Sequence, residues 1–212
     1  MAQFLTDPVE DGYVVSIARP GANITGTVSL PPALFRKQMQ VLKEAFPQIR
    51  QVASLAPAGA ITNTAQREFL AAARDLQIEV SMTSVQTPAE IDAALAAMSR
   101  DPPDALQVGY AGPIIARFAA ILEFCKRHRV PSMWGESITV ARGALMSYST
   151  DRLESSVISA RQLDRILRGT KPEGIAVEYA SQFVLMLNLK TAADMGLSFP
   201  ASILARATTV IR

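Results

Sequence analysis

One cysteine, one histidine and one tryptophan stand in a chain of 212 residues, and each scarcity removes a class of chemistry. A lone Cys125 forms no intramolecular disulfide and no multi-cysteine zinc site. It lies in the apolar helical stretch 121–126, where a thiol reads as core. With one histidine and one cysteine, the usual metal-ligand sets are out of reach, so no metal site is expected. His128 has no serine, cysteine or carboxylate at motif spacing, which argues against a nucleophilic triad. Its neighbours Lys126, Arg127 and Arg129 read as a helix end complementing the negative pole of the helix dipole.

Charge of one sign is also missing. Lys and Arg total 21 against 19 Asp and Glu, a net charge of +2, far from the basic field that binds nucleic acid. No segment approaches the roughly 18 consecutive apolar residues of a membrane span. Residues 1–8 show no basic stretch followed by an apolar one, so no secretory signal is read and the chain as written is expected in the cytoplasm. Cofactor motifs fail too. Only Gly109 and Gly112 share a strand-to-helix turn, short of the three glycines of a dinucleotide fingerprint, and the Gly-Lys-Ser/Thr ending of a phosphate loop is absent. A phospho-receiver would need an aspartate at the end of the third strand, where Gly109-Tyr110 stands; Asp104 lies at the other end. No catalytic residue and no cofactor are assigned.

What is present is a core and a rhythm. Apolar residues make up 49% of the chain, enough for one large or two small domains. From residue 31 onward two hydrophobic periods alternate, the pattern of parallel strands joined by crossover helices. Pro31-Pro32 opens a helix that Pro47 stops. Residues 51–56, 78–84, 105–110 and 130–135 read as strands, with helices over 64–76, after the Thr87-Glu90 capping box, and from Pro113. Further on, 143–149 reads as a strand, Asp151 caps a helix ended by Gly169, and 175–179 and 183–188 are two more strands before a last helix near 190–196 and an apolar tail. Residues 47–135 thus form a complete doubly wound unit.

In open parallel sheets ligands bind beyond the carboxyl ends of the strands, where helix N-termini offer unpaired amides. That places a candidate site at three loops: Ala58, Gly59 and Ala60; Tyr110, Ala111 and Gly112; and Gly135, Glu136 and Ser137. Glycine and alanine let a ligand approach backbone, the helix N-termini favour a carboxylate, and Tyr110 supplies a flat apolar face. Spacing alone leaves open the alternative that these are ordinary βα loops.

Asp7-Pro8-Val9, followed by Ser16-Ile17-Ala18-Arg19-Pro20-Gly21-Ala22-Asn23-Ile24-Thr25-Gly26, resembles the signature of one ABC-importer family of substrate-binding proteins, some of whose members bind tryptophan or tyrosine. Three later stretches agree in order: Gly143-Ala144-Leu145-Met146-Ser147-Tyr148, the helix end Ile166-Leu167-Arg168-Gly169-Thr170-Lys171-Pro172, and Leu187-Asn188-Leu189-Lys190-Thr191-Ala192. The resemblance implies an α/β fold of the periplasmic-binding-protein type I kind, with one complete doubly wound parallel-sheet lobe over 30–142 and an incomplete second lobe. Residues 1–29 and 143–212 would be the remnant of that first, N-terminal lobe, since family members carry about half a lobe before the Asp-Pro-Val string. It further implies a small carboxylate-bearing ligand, an amino acid with aromatic ones among the candidates, held in the interlobe cleft by hinge closure. Thr6, Asp7 and Thr25 would face the three loops from the first lobe. An ABC permease would be the partner, the periplasm the location, and a homodimer through the incomplete lobe would cover its apolar faces. Two other readings stand beside this one, a cytoplasmic small-molecule-sensing module of the same fold and a small α/β enzyme.

Overall fold

The computed structural model describes residues 1–4, 7–59, 63–110 and 112–212. Two short strands come first, β1 (Ala2–Phe4) and β2 (Gly26–Val28), with a long turn-rich segment between them. Pro31, in extended conformation, then feeds α1 (Pro32–Ala45), whose Phe35, Gln38, Met39 and Leu42 recur at helical spacing and are buried. The alternation continues through β3 (Gln51–Pro57), α2 (Asn63–Asp75), β4 (Glu79–Val85) and α3 (Pro88–Met98). Thr87 Oγ1 accepts from Glu90 N at 3.3 Å while the Glu90 carboxylate reaches back to Gln86 N at 2.8 Å, so one first-turn amide and the amide just before the cap are satisfied reciprocally.

β5 (Ala105–Val108) follows, then α4 (Pro113–Ala116) and α5 (Phe118–His128). A single helix was expected from Pro113; instead it breaks at Arg117, whose φ and ψ of −109° and 18° leave the helical region. Next come β6 (Ser132–Trp134), the short α6 (Ile138–Ala141), β7 (Met146–Thr150) and α7 (Arg152–Leu167). β8 (Glu178–Tyr179), β9 (Phe183–Asn188), α8 (Leu189–Asp194), α9 (Ala201–Arg206) and β10 (Thr209–Ile211) complete the chain. The expected strand over 175–179 keeps only its last two residues, because Ile175 and Val177 pack inward while their stretch lies outside the ladder. The apolar tail is itself α9 and β10.

Two sheets result. The larger runs β10-β9-β7-β6-β5-β3-β4, parallel except for the antiparallel β7–β9 pair, and the smaller runs β1-β2-β8, all parallel. This corrects the expected division. Residues 143–212 do not go as a block with 1–29, because β7, β9 and β10 extend the larger sheet: Met146 pairs with Met133 on one side and with Leu187 on the other. What 1–29 does join is α7 and β8.

One core joins α1, the larger sheet and the helices on both its faces, and a small cluster of Phe4, Val14, Val28 and Val177 serves the smaller sheet. Inside the large core runs a polar chain: Ser54 Oγ donates to Gln107 Oε1 at 2.6 Å, Gln107 Nε2 lies 3.5 Å from Gln38 Oε1, and Gln38 Nε2 donates to the Tyr148 carbonyl at 2.8 Å. It links β3, β5, α1 and β7 with buried groups that have to be paired, which favours one packing arrangement. Asp104 ties the other end of the sheet, accepting from Arg50 N and Gln51 N at 2.7 and 2.9 Å. Cys125 is buried among these layers, and that burial pushes its thiol up to about 12, an unreactive core group. Among the described residues no helix is long and apolar enough to cross a membrane.

Candidate functional site

The carboxyl ends of β3, β5 and β6 lie side by side, so three loops distant in sequence become neighbours. A Cβ on Gly109 would come within 3.0 Å of Pro57 Cδ and 3.5 Å of the Leu55 carbonyl, so the chain just beyond β5 lies directly against the end of β3, from which the first loop leaves. Gly135 N donates to the Val108 carbonyl at 3.0 Å, which sets the third loop against the second. The structure therefore brings Ala58, Gly59, Tyr110, Gly135, Glu136 and Ser137 to one end of the sheet. Ala58 and Gly59 are exposed, Tyr110, Glu136 and Ser137 half-buried, and Gly135 buried. Thr6, Ala60 and Ala111 lie outside the described residues.

Across from these loops stands the smaller sheet. A cavity of about 510 Å³ is lined by Ala2, Gln3 and Phe4 of β1, by Asp11, Tyr13 and Ile24 of the segment that follows, and by Gly59 of the larger unit. Phe4 and Tyr13 form its aromatic wall, their rings 6.0 Å apart. Glu10 bridges the two units, accepting from Thr64 N in the first turn of α2 at 3.1 Å, and the Thr64 hydroxyl with the α2 amides holds its carboxyl below the usual range.

Two residues expected at this cleft have other tasks. Thr25 is fully buried, its hydroxyl donating to the Ile175 carbonyl at 2.7 Å, so it fastens β2 to the chain entering β8 and no ligand reaches it. Asp7 folds its carboxylate onto the next turn, accepting from Val9 N at 2.9 Å and Glu10 N at 3.3 Å, an Asx turn. It also stands near Tyr179, whose hydroxyl is pushed up by burial first and by the Asp7 charge second.

Glu136 is the charged group among the expected loops. Its side chain is 22% exposed, and Arg152 Nη1 at the start of α7 lies 3.5 Å from Oε2. That is ion-pair distance but long for a good hydrogen bond, and Oε2 has no hydrogen-bond partner among the described residues. Burial pushes the Glu136 carboxyl above its ordinary value of 4.5 despite the opposing pull of Arg152. The folded state thus holds this proton more tightly than the unfolded chain does. The stability it contributes is present below pH 4.5 and is lost as pH rises through the folded value. Glu136→Gln is therefore expected to raise the melting temperature at pH 7, and a melting series from pH 4 to 8 should show parent and variant converging at the acid end. Arg152, largely exposed, loses little when its partner goes.

Three crossovers join the two units, at 29–31, 150–151 and 180–182. They are laced together: Thr150 Oγ1 donates to the Ser29 carbonyl at 2.8 Å, and Asp151 N donates to the Gln182 carbonyl at 2.8 Å. The Glu154 carboxylate accepts from Ser181 Oγ, Gln182 N and Ser181 N at 2.6, 2.7 and 2.9 Å, which holds its carboxyl below the usual range. Narrow crossovers bound by side chains rather than by packing are where one unit can rotate on the other. No group of histidine, cysteine and carboxylate side chains suited to a metal occurs among the described residues.

Two α/β units on three crossovers, with a cavity between their strand ends, define a cleft-type binding fold, periplasmic-binding-protein-like. The family model described as ABC transporter substrate binding protein matches residues 2–211, and the chain belongs to that family, whose members bind solutes and are not enzymes. Among curated proteins it is similar to the "Tyrosine-binding protein" of Clostridioides difficile (strain R20291), 23% identical over 194 residues, covering 90% of this chain and 55% of that one. The chain thus spans about half the length of that relative. Among solved structures it resembles an ABC domain from Streptococcus pneumonia in complex with L-Trp, with a TM-score of 0.86 and 25% identity over 98% of this chain and 72% of that one. A conserved domain protein from Vibrio cholerae shares the fold, with a TM-score of 0.85 and 23% identity over 96% of this chain and 68% of that one.

Of the expected loop residues Gly59 lines the cavity, and Phe4 and Tyr13 on its other wall stand outside the expected set. Phe4 and Tyr13 flank the recognised Asp-Pro-Val string without belonging to it, and Arg152 lies next to a helix cap, where a basic residue carries no signal of its own.

Proposed function

We propose that this chain acts in an ABC importer as the solute-binding component, taking a small amino acid, aromatic ones foremost, into the cleft between its two units outside the cytoplasmic membrane. The observation that carries this reading is the cavity of about 510 Å³ lined by β1, Tyr13 and Gly59. Its size falls in the ordinary range for small-molecule sites, and an aromatic wall beside a few polar groups suits a ligand with a flat side chain and a zwitterionic end. Tyrosine in the name of one relative and L-Trp in one solved structure support the same ligand class. Backbone amides at the strand ends would receive the carboxylate, and Glu136 the ammonium group. Closure would bend the crossovers at 29–31, 150–151 and 180–182, and the closed form would be what a permease recognises.

A thermal-shift screen against the amino acids, followed by calorimetry, tests the reading. A ligand at a hundredfold its dissociation constant should stabilise the fold by about 2.7 kcal/mol. Tyrosine or tryptophan is the expected responder. A response from other solutes alone overturns the ligand class, and no response from any small carboxylate overturns the binding role.

The proposed partners include a second copy of the chain. Leu153, Val157, Leu163 and Leu167 leave an exposed apolar row along α7, with Leu153 72% and Leu167 78% exposed. Size-exclusion chromatography with light scattering should give a dimer mass; a monomer mass refutes the pairing.

A further inference from the structure

We propose that Arg152 is a displaceable counter-ion of Glu136, and that the exchange of its guanidinium for a ligand's ammonium makes the cleft select ligands bearing a cationic amine. The proposal rests on the amino-acid reading above and deepens it. Glu136 sits on the larger sheet just beyond β6, while Arg152 opens α7, the helix that packs on β2 of the smaller sheet. Their ion pair therefore spans the two units. Its two ends differ: the carboxylate is 22% exposed and the guanidinium 68% exposed. A half-buried carboxylate needs a cationic partner, whereas an exposed arginine gives one up at little loss, because water replaces what it leaves.

The geometry is that of an incomplete pair. Arg152 Nη1 stands 3.5 Å from Oε2, and that oxygen has no hydrogen-bond partner among the described residues. Oε2 is itself buried, so it is with Arg152 displaced that a shorter, charge-assisted bond would be open to a small cation, and an ammonium group, compact and carrying three donors, is such a cation. Position agrees. Arg152 lines a groove of about 340 Å³ together with Gln3, and Gln3 also lines the cavity between the units. The groove that holds the guanidinium and the cavity thus share Gln3, and the groove is where Arg152 would stay when an ammonium takes its place at Glu136. A ligand without the amine would leave the resident pair in position and gain nothing from Glu136.

Calorimetry on the parent chain, Arg152→Gln and Glu136→Gln, with L-tyrosine and L-tryptophan against their des-amino analogues 3-(4-hydroxyphenyl)propionate and indole-3-propionate, decides the matter. The parent should prefer the amine-bearing ligands at least tenfold. Arg152→Gln should tighten those ligands severalfold and leave the des-amino acids unchanged, since nothing then has to be displaced. Glu136→Gln should abolish the preference. An Arg152→Gln variant that binds both classes as the parent does overturns the counter-ion role. One that weakens both overturns it in favour of an arginine that holds the carboxylate. A parent that binds tyrosine or tryptophan but does not discriminate sinks the inference and spares the proposed function; a parent that binds none of the four probes removes the reading on which it rests. Melting curves of the ligand-free variants confirm that each is folded before titration.

Discussion

Gly26→Ala is expected to detach β1 from β2 and abolish the proposed ligand binding while leaving the larger sheet folded. A Cβ at this position would overlap the Ala2 carbonyl oxygen and stand 2.6 Å from its carbon, and both are backbone atoms of the paired strand. No rotamer change relieves such a contact, so β1 has to move. The strand is short and held along one side: three register pairs, bonds from Ala2 N to the Thr25 carbonyl at 2.7 Å, from Ser29 N to the Phe4 carbonyl at 2.9 Å and from Gln3 Nε2 to Ser29 Oγ at 2.8 Å, and the insertion of Phe4 into a four-residue cluster. Exposing Phe4 forfeits about 1.5 to 3 kcal/mol of apolar burial, and the clash adds an overpacking penalty of about 1 to 3 kcal/mol. The smaller unit cannot absorb that, and the cavity wall built from β1 and Tyr13 goes with it. Hydrogen exchange should show protection lost over 2–28 and near 178–179 but kept in β3, β5 and β6. Unchanged protection in β1 would mean that the pairing accommodates a methyl and that the glycine has no steric task.

The same strand shows where sequence reasoning stops. The alternation of strands and helices from Pro32 to Trp134 was legible because each element carries its own signal: proline at the helix start, the reciprocal Thr87 and Glu90 cap, apolar runs bounded by turn residues. Asp151 belongs with them, its carboxylate accepting from Leu153 N at 2.8 Å as a cap should. β1 carries no such signal, and β8 is only the end of the longer strand read over 175–179. Three and two residues long, they exist only through partners far along the chain, Ala2 against Gly26 and Thr27 against Glu178. The unit to which β7, β9 and β10 belong was hidden for the same reason. Contiguity suggested the smaller lobe, whereas strand pairing, a non-local property, put them in the larger one.

The candidate site divides along that line. Loops at the ends of β3, β5 and β6 could be listed from sequence, since each follows its own strand. That they touch depends on the order β6-β5-β3 and on Gly109 being small enough to let Pro57 close in. Thr25 shows the converse. A threonine inside a recognised string looked available to a ligand, yet its hydroxyl is engaged by the Ile175 carbonyl, 150 positions away. Glu136 and Arg152 are 16 positions apart with β7 between them, and no local period relates a residue after one strand to the first turn of the next helix but one.

Trp134→Ala joins packing to that site most directly and should produce the largest loss of global stability. The side chain is fully buried, its ring edge-on to Phe118 at 5.0 Å, with the Arg142 guanidinium lying over Phe118 at 4.5 Å. Its Nε1 donates to Ser132 Oγ at 3.0 Å, so the one polar atom of the indole is satisfied inside the core. Truncation opens a large cavity on one face of β6, and substitutions of this kind cost about 3 to 5 kcal/mol. For a chain of this length that corresponds to a fall of roughly 10 °C in melting temperature. Trp134→Phe separates the two contributions: it keeps most of the volume and removes only the bond to Ser132, a loss of about 1 kcal/mol. The difference between the variants, read by thermal denaturation followed with circular dichroism, isolates the cavity. Because Trp134 immediately precedes Gly135 and Glu136, the alanine variant should also loosen the loop that carries the carboxylate, weakening amine-bearing ligands beyond what the lost stability explains. Equal melting temperatures for the alanine and phenylalanine variants would show that the core closes over the gap and that β6 does not depend on its tryptophan.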